Sequence, residues 1–179
     1  MLELDLPAME FFDESKQKFF DTKAESVQLE HSLLAISKWE AKYKKAFLSS
    51  NEKTLQELLD YIDCMFVGPV RGTTSYIVKD LHFQDVQNYI VSSESATTFR
   101  EMPGRRSSGE TVTSELIYYW MTVHSVPIQA ETWHLNRLLS LIRIANIKAQ
   151  PQKKMSRAAA AQQRHQLNQQ RREQLNSRG

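Results

Sequence analysis

The sequence predicts an α+β fold that is mainly α-helical: small strand and hairpin elements at the N-terminus, a helical body, and a basic, helix-prone C-terminal arm. Three observations carry that expectation. Apolar residues near the start alternate with a period of two, those in the middle recur at helical spacing, and charge separates sharply near residue 151. Residues 1–150 have ordinary globular composition and the size of one domain, and they read as a single body. Residues 151–179 read as a conditionally ordered arm.

The first 30 residues carry the strand signals. Leu2, Leu4 and Leu6 alternate with Glu3 and Asp5, which suits a half-buried strand ending at Pro7. Phe11–Phe12 and Phe19–Phe20 flank a polar link and predict a hairpin, a pattern a bent helix would also tolerate, and a further short strand is expected over residues 27–30. From Ser32 the pattern turns helical: Leu33, Ile36, Ala41 and Phe47, with Leu34, Trp39 and Tyr43, predict a helix. Lys38, Lys42, Lys44 and Lys45 lie on its solvated side. Thr54 followed by Glu57 is a capping box, in which each residue serves the other's backbone N–H. Leu55, Leu58, Leu59, Ile62 and Met65 continue that helix until Gly68-Pro69 stops it.

Residues 68–75 are expected to be a loop, and Asp80 to cap a short helix carrying Phe83, Val86 and Ile90. Residues 92–102 read as strand or loop, with a hairpin over 96–100 and 110–112 as one arrangement. Thr113 or Ser114 caps the apolar-rich segment that ends near Pro127. The last body helix is predicted over 130–149. Leu135, Leu138, Leu139, Ile142 and Ala145 form its core stripe. A second stripe, Trp133, Arg137, Ser140, Ile144 and Ile147, falls on the opposite side. Cover by another body helix is the simpler expectation for it. Its tryptophan and arginine instead suit a docking surface, because both residue types concentrate in interface hot spots.

Catalytic and metal-binding signals are weak, and a non-enzyme is expected, with no catalytic, cofactor or metal residues. His31, His82, His124, His134 and His165 show no metal-ligand spacing, and Glu30-His31 lacks the second histidine of a zinc helix motif. Neither a phosphate loop nor a nucleophile elbow is present; the stretch 68–72 lacks the lysine and hydroxyl that phosphate binding requires. Asp60 and Asp63 share one helix face, which a solvated acidic surface explains. Cys64 is the only cysteine; it excludes an internal disulfide, fits a reducing compartment, and reads as a small helix residue. The acidic N-terminal residues lack the features of a signal peptide, and no apolar run is long enough to span a membrane, so a soluble intracellular protein is expected.

The arm carries Lys153, Lys154, Arg157, Arg164, Arg171, Arg172 and Arg178 against the single acid Glu173, a net +6. Since the chain as a whole carries +2, residues 1–150 carry −4. Residues 155–174 are good helix formers with too little apolar content to bury a face. Three readings are open for the arm: a solvating tail, nucleic-acid binding through phosphate neutralisation, or capture of a protein partner. It has no aromatic residue for base stacking, which weighs against nucleic acid.

Four segments resemble a group of small proteins encoded by long-tailed (siphovirus-like) bacteriophages: residues 29–49 (LEHSLLAISKWEAKYKKAFLS), 54–65 (TLQELLDYIDCM), 113–121 (TSELIYYWM) and 133–157 (WHLNRLLSLIRIANIKAQPQKKMSR). They cover a little over a third of the chain and keep their order; residues 68–83 and the alanine run of the arm depart from the pattern. The resemblance implies a tail-module protein of the tail assembly chaperone type. Such a protein holds the tape-measure protein in solution in the host cytoplasm and promotes tail-tube assembly, without a cofactor or membrane. The expected partners are the tape-measure protein and the tail-tube protein, with self-association open. Trp133, Arg137, Ile144 and Ile147 on the last body helix, and Lys153, Lys154, Arg157, Arg164, Arg171 and Arg172 on the arm, are the expected contact residues. A structural head–tail or tail component of the virion is the main rival, and a nucleic-acid-binding protein the other.

Overall fold

A computed structural model describes residues 1–13, 17–49, 52–99, 111–149 and 157–175. The fold is α+β and mainly α-helical, as the sequence predicts. Residues 1–146 form one compact unit and 147–179 a second.

The chain begins with β1 (Leu2–Leu6), β2 (Glu10–Asp13), β3 (Lys18–Asp21) and β4 (Glu25–Leu29). β1 pairs antiparallel with β4, and β2 with β3. Both ladders share one register: Leu2 faces Leu29, Leu6 faces Glu25, Glu10 faces Asp21, and every such pair of residue numbers adds to 31. Met9 and Thr22 keep that register between the ladders, with Thr22 N–H donating to the Met9 carbonyl at 2.8 Å. The four strands are therefore one long hairpin interrupted near Pro7, which has no N–H to donate to a ladder. On the inner half Leu4 and Leu6 are buried while Glu3 and Asp5 are exposed. Beyond the break burial changes sides: Phe11 meets the Tyr76 ring edge-on at 6.1 Å, whereas Phe12 and Phe19 are exposed.

β4 is extended on its other side by residues 65–67, through Glu30 N–H to the Met65 carbonyl and Val67 N–H to the Gln28 carbonyl, each at 2.9 Å. α1 (Leu33–Tyr43) starts at the predicted Ser32, whose hydroxyl accepts from Ala35 N–H. It ends earlier than Phe47, because Lys44 turns left-handed at φ 55°. Phe47 folds back into the core and stacks on Tyr61 at 4.1 Å. α2 (Leu55–Met65) carries the predicted capping box with both hydrogen bonds formed. Leu55 is exposed rather than part of the core stripe.

Residues 68–75 are only partly loop. α3 (Gly72–Leu81) begins inside them, and Asp80 belongs to α3 instead of capping α4 (Phe83–Val91). The β-branched residues of α3 are poor helix formers. Burial of Ile77 and Val78 in the core stabilises the helix nonetheless. Residues 92–99 form no strand, and 100–110, where the rest of the expected hairpin falls, lie outside the described residues. α5 (Ser114–Val123) uses Thr113 as its cap.

The helix predicted over 130–149 is divided. A 3-10 turn (Ile128–Thr132) precedes α6 (Leu135–Ala149) because His134 forms an antiparallel bridge with Ser32, and Leu135 N–H donates to the His31 carbonyl at 2.7 Å. Trp133 is accordingly extended rather than helical. The core gathers around Trp39, with Leu29, Leu33, Tyr61, Ile117 and Leu138 almost completely enclosed. The Trp39 indole N–H is satisfied by the Glu57 carbonyl at 2.8 Å. α7 (Arg157–Leu175) lies in the second unit.

Candidate partner-binding surfaces

α6 builds the first surface. Leu135, Leu138 and Ile142 repeat at helical spacing and are buried, which fixes the rotation of the helix and leaves its other side outward. There, Trp133 is 38% exposed, Arg137 is exposed, Ser140 and Ile144 are half-buried, and Ile147, in the second unit, is 51% exposed. The cover expected from another body helix is incomplete at Trp133 and leaves Arg137 exposed. The Arg137 guanidinium sits 4.7 Å above the Trp133 ring, a cation–π contact that restrains the indole. Beside this stripe, Asn136 donates to the Ser92 carbonyl at 2.6 Å and Arg143 stacks over Phe99 at 4.1 Å, so residues 92–99 run along one flank of α6.

On α7, Arg164, Arg171 and Arg172 are exposed, and Leu167 is 44% exposed. Arg157 is the first helical residue of α7, and Lys153 and Lys154 lie outside the described residues.

Sequence reading missed a second surface. An apolar cavity of about 250 Å³ opens between α2 and α4, lined by Phe47, Leu58, Ile62, Phe83, Ile90 and Val91. Its walls are large, fixed side chains, so it can accept a single apolar side chain from a partner. Leu58 and Ile90 were each legible as apolar helix positions, but the gap between their helices depends on tertiary packing. A larger, more polar cavity of about 510 Å³ lies between β4 and the 66–71 segment, with Gln28, Val67, Val70 and Arg71 among its walls.

The histidines are not independent either. His31 and His134 are buried with ring centroids 5.1 Å apart. The His31 Nδ1 lies 2.6 Å from the Tyr61 hydroxyl. Burial, and secondarily His134, pushes the His31 imidazole down from 6.5 to about 4. Asn136 N–H donates to His134 Nδ1, and the Nε2 side faces the Tyr89 carbonyl, which can only accept. Those partners make Nδ1 the accepting and Nε2 the donating side of the His134 ring. Both rings are 4% exposed or less and join the start of α1 to the start of α6. Among the described residues no three His, Cys, Asp or Glu side chains converge as a metal site.

Asp60 and Asp63 are more than a solvated acidic face. Asp60 accepts from Lys42, from Tyr43 at 2.5 Å and from Gln56, and so ties α2 to α1. The Lys42 ammonium is the main cause that holds its carboxyl down at about 2. Asp63 accepts from Ser75 and Lys79 and ties α2 to α3. Burial pushes the Cys64 thiol above its ordinary value, which leaves it a poor nucleophile. Among the described residues no helix is long and apolar enough to cross a membrane. Compared with protein-family models, curated proteins and solved structures, the chain gives no match.

Proposed function

We propose that this chain is a non-catalytic binding protein, a bacteriophage tail assembly chaperone that holds the tape-measure protein in solution and promotes tail-tube assembly in the host cytoplasm. One observation carries the binding role: the outward pair of Trp133, just before α6, and Arg137 in its first turn. An indole restrained by a guanidinium over its ring is a low-entropy anchor for an apolar, helical partner. The cavity between α2 and α4 can seat one further apolar side chain. The exposed arginines of α7 supply a cationic contact for an acidic partner, such as the tail-tube protein. The tail-module assignment rests on the four resembling segments, of which 133–157 includes the proposed anchor.

Co-expression with the cognate tape-measure protein tests the reading. The tape-measure protein should be soluble with this chain and aggregate without it, and Trp133→Ala with Arg137→Ala should lose the effect while the body stays folded. Equal solubility with and without the chain overturns the proposal. Abundant copies in purified virions would instead favour a structural tail component. The exposed Arg164, Arg171 and Arg172 favour nucleic-acid binding as a second reading. It requires a gel shift that weakens steeply with salt and disappears when residues 151–179 are removed.

A further inference from the structure

The β2–β3 end of the hairpin presents an unusual solvent face. Its register places Phe12 opposite Phe19 and Glu10 opposite Asp21, and alternation puts all four side chains on the same side. Phe12 is 46% and Phe19 65% exposed, with ring centroids 4.8 Å apart, and both carboxylates are exposed. Like charges directly opposite in a ladder are destabilising. Neither Glu10 nor Asp21 forms an ion pair among the described residues. Residues 1–30 hold eight acids against three lysines, a net −5, so the body's negative balance is concentrated in this hairpin. The face combines an apolar step with a paired anionic step, and it is complementary to an apolar residue followed by a cation.

We propose that this face docks the arginine-bearing face of α7 from a second copy of the chain, so that two chains pair reciprocally. Residues 147–179 carry eight cations against Glu173, a net +7, which complements the hairpin. The spacing agrees as well. Successive same-side positions on a strand are about 6.6 Å apart, and residues four apart on a helix are separated by about 6 Å along its axis. Leu167 and Arg171 are four apart on α7, and Arg164 lies three before Leu167 on the same face. Leu167 covers the Phe12–Phe19 step while Arg171 enters between Glu10 and Asp21. A guanidinium fork serves both carboxylates and stacks on the neighbouring ring, which an ammonium does less well. Each chain has one hairpin and one α7, so two copies that exchange them satisfy both contacts at once.

Sedimentation velocity of the full chain from low to high micromolar concentration, at low and high salt, tests the pairing. A monomer–dimer equilibrium that weakens at high salt is expected. Glu10→Arg with Asp21→Arg should raise the dissociation constant at least about tenfold, and Arg164→Glu with Arg171→Glu should do the same. Combining all four changes in one chain should restore the dimer. Circular dichroism on each variant separates lost pairing from lost folding. A chain that stays monomeric at every concentration overturns the proposal. So does a dimer that neither charge reversal weakens, or a folded four-fold variant that does not re-associate.

Discussion

Glu40 is 7% exposed and accepts from Phe47 N–H at 2.7 Å, Ser114 N–H at 2.8 Å and the Ser114 hydroxyl at 2.5 Å. Its carboxylate closes the turn after α1 and meets the positive N-terminal end of α5. Ser114→Ala removes one donor to this buried charge and should cost about 1.5–3 kcal/mol in urea unfolding. No motif could announce the pair, because its members are 74 residues apart. His31 makes a pH prediction. Its folded value, about 4, lies below the ordinary 6.5, so on acidification the unfolded chain takes up the proton first. Stability should fall between about pH 6.5 and 4, by up to about 3 kcal/mol, and His31→Asn should flatten that slope in urea midpoints. Asp60 acts lower. Its carboxyl is held at about 2 against an ordinary 3.8, so its contribution is complete above the ordinary value and is lost as pH falls toward 2.

At the level of elements, legibility follows the range of the interactions. The capping box of α2 lies within four consecutive residues and was readable as written; Thr54→Ala should lower stability by about 1 kcal/mol in a thermal melt. The start of α1 at Ser32 and the cap of α5 at Thr113 or Ser114 were readable for the same reason, and the structure selects Thr113. α3 was not readable in full, since its β-branched residues oppose helix formation and burial of Ile77 and Val78 overrides them. The break before α6 was hidden because Ser32, far away in the chain, recruits His134 into a bridge. The two sides of α6 yield a paired prediction. Leu138→Ala empties a fully enclosed position and should cost about 2–5 kcal/mol. Trp133→Ala, just before α6, should cost less than Leu138→Ala, since Trp133 is 38% exposed and loses only part of a side chain's burial with its cation–π contact.

For the whole molecule, the division into 1–146 and 147–179 falls close to the change in composition at the arm. The core residues belong to the first unit, so at concentrations too low for pairing a chain ending at Ala149 should keep its unfolding free energy to within about 0.5 kcal/mol. Chemical denaturation of the two lengths side by side checks this. Charge is segregated on the same scale, anionic in the first 30 residues and cationic after 147, and it is legible without coordinates because it is a sum over residues. The candidate contact residues were legible as residue types; the exposure of Trp133, Arg137 and Ile147 was not.

The sequence by itself determined the mainly helical α+β class, the capping box of α2, the N-terminal strand segments and the separation of charge, all of which depend on near neighbours or on composition. Only the tertiary structure decided that α3 forms, that the last body helix breaks at His134, that His31 and Glu40 are enclosed, and that Trp133 faces outward. Those outcomes depend on which distant surfaces meet, and burial there outweighs local preference by more than the differences in propensity can resist.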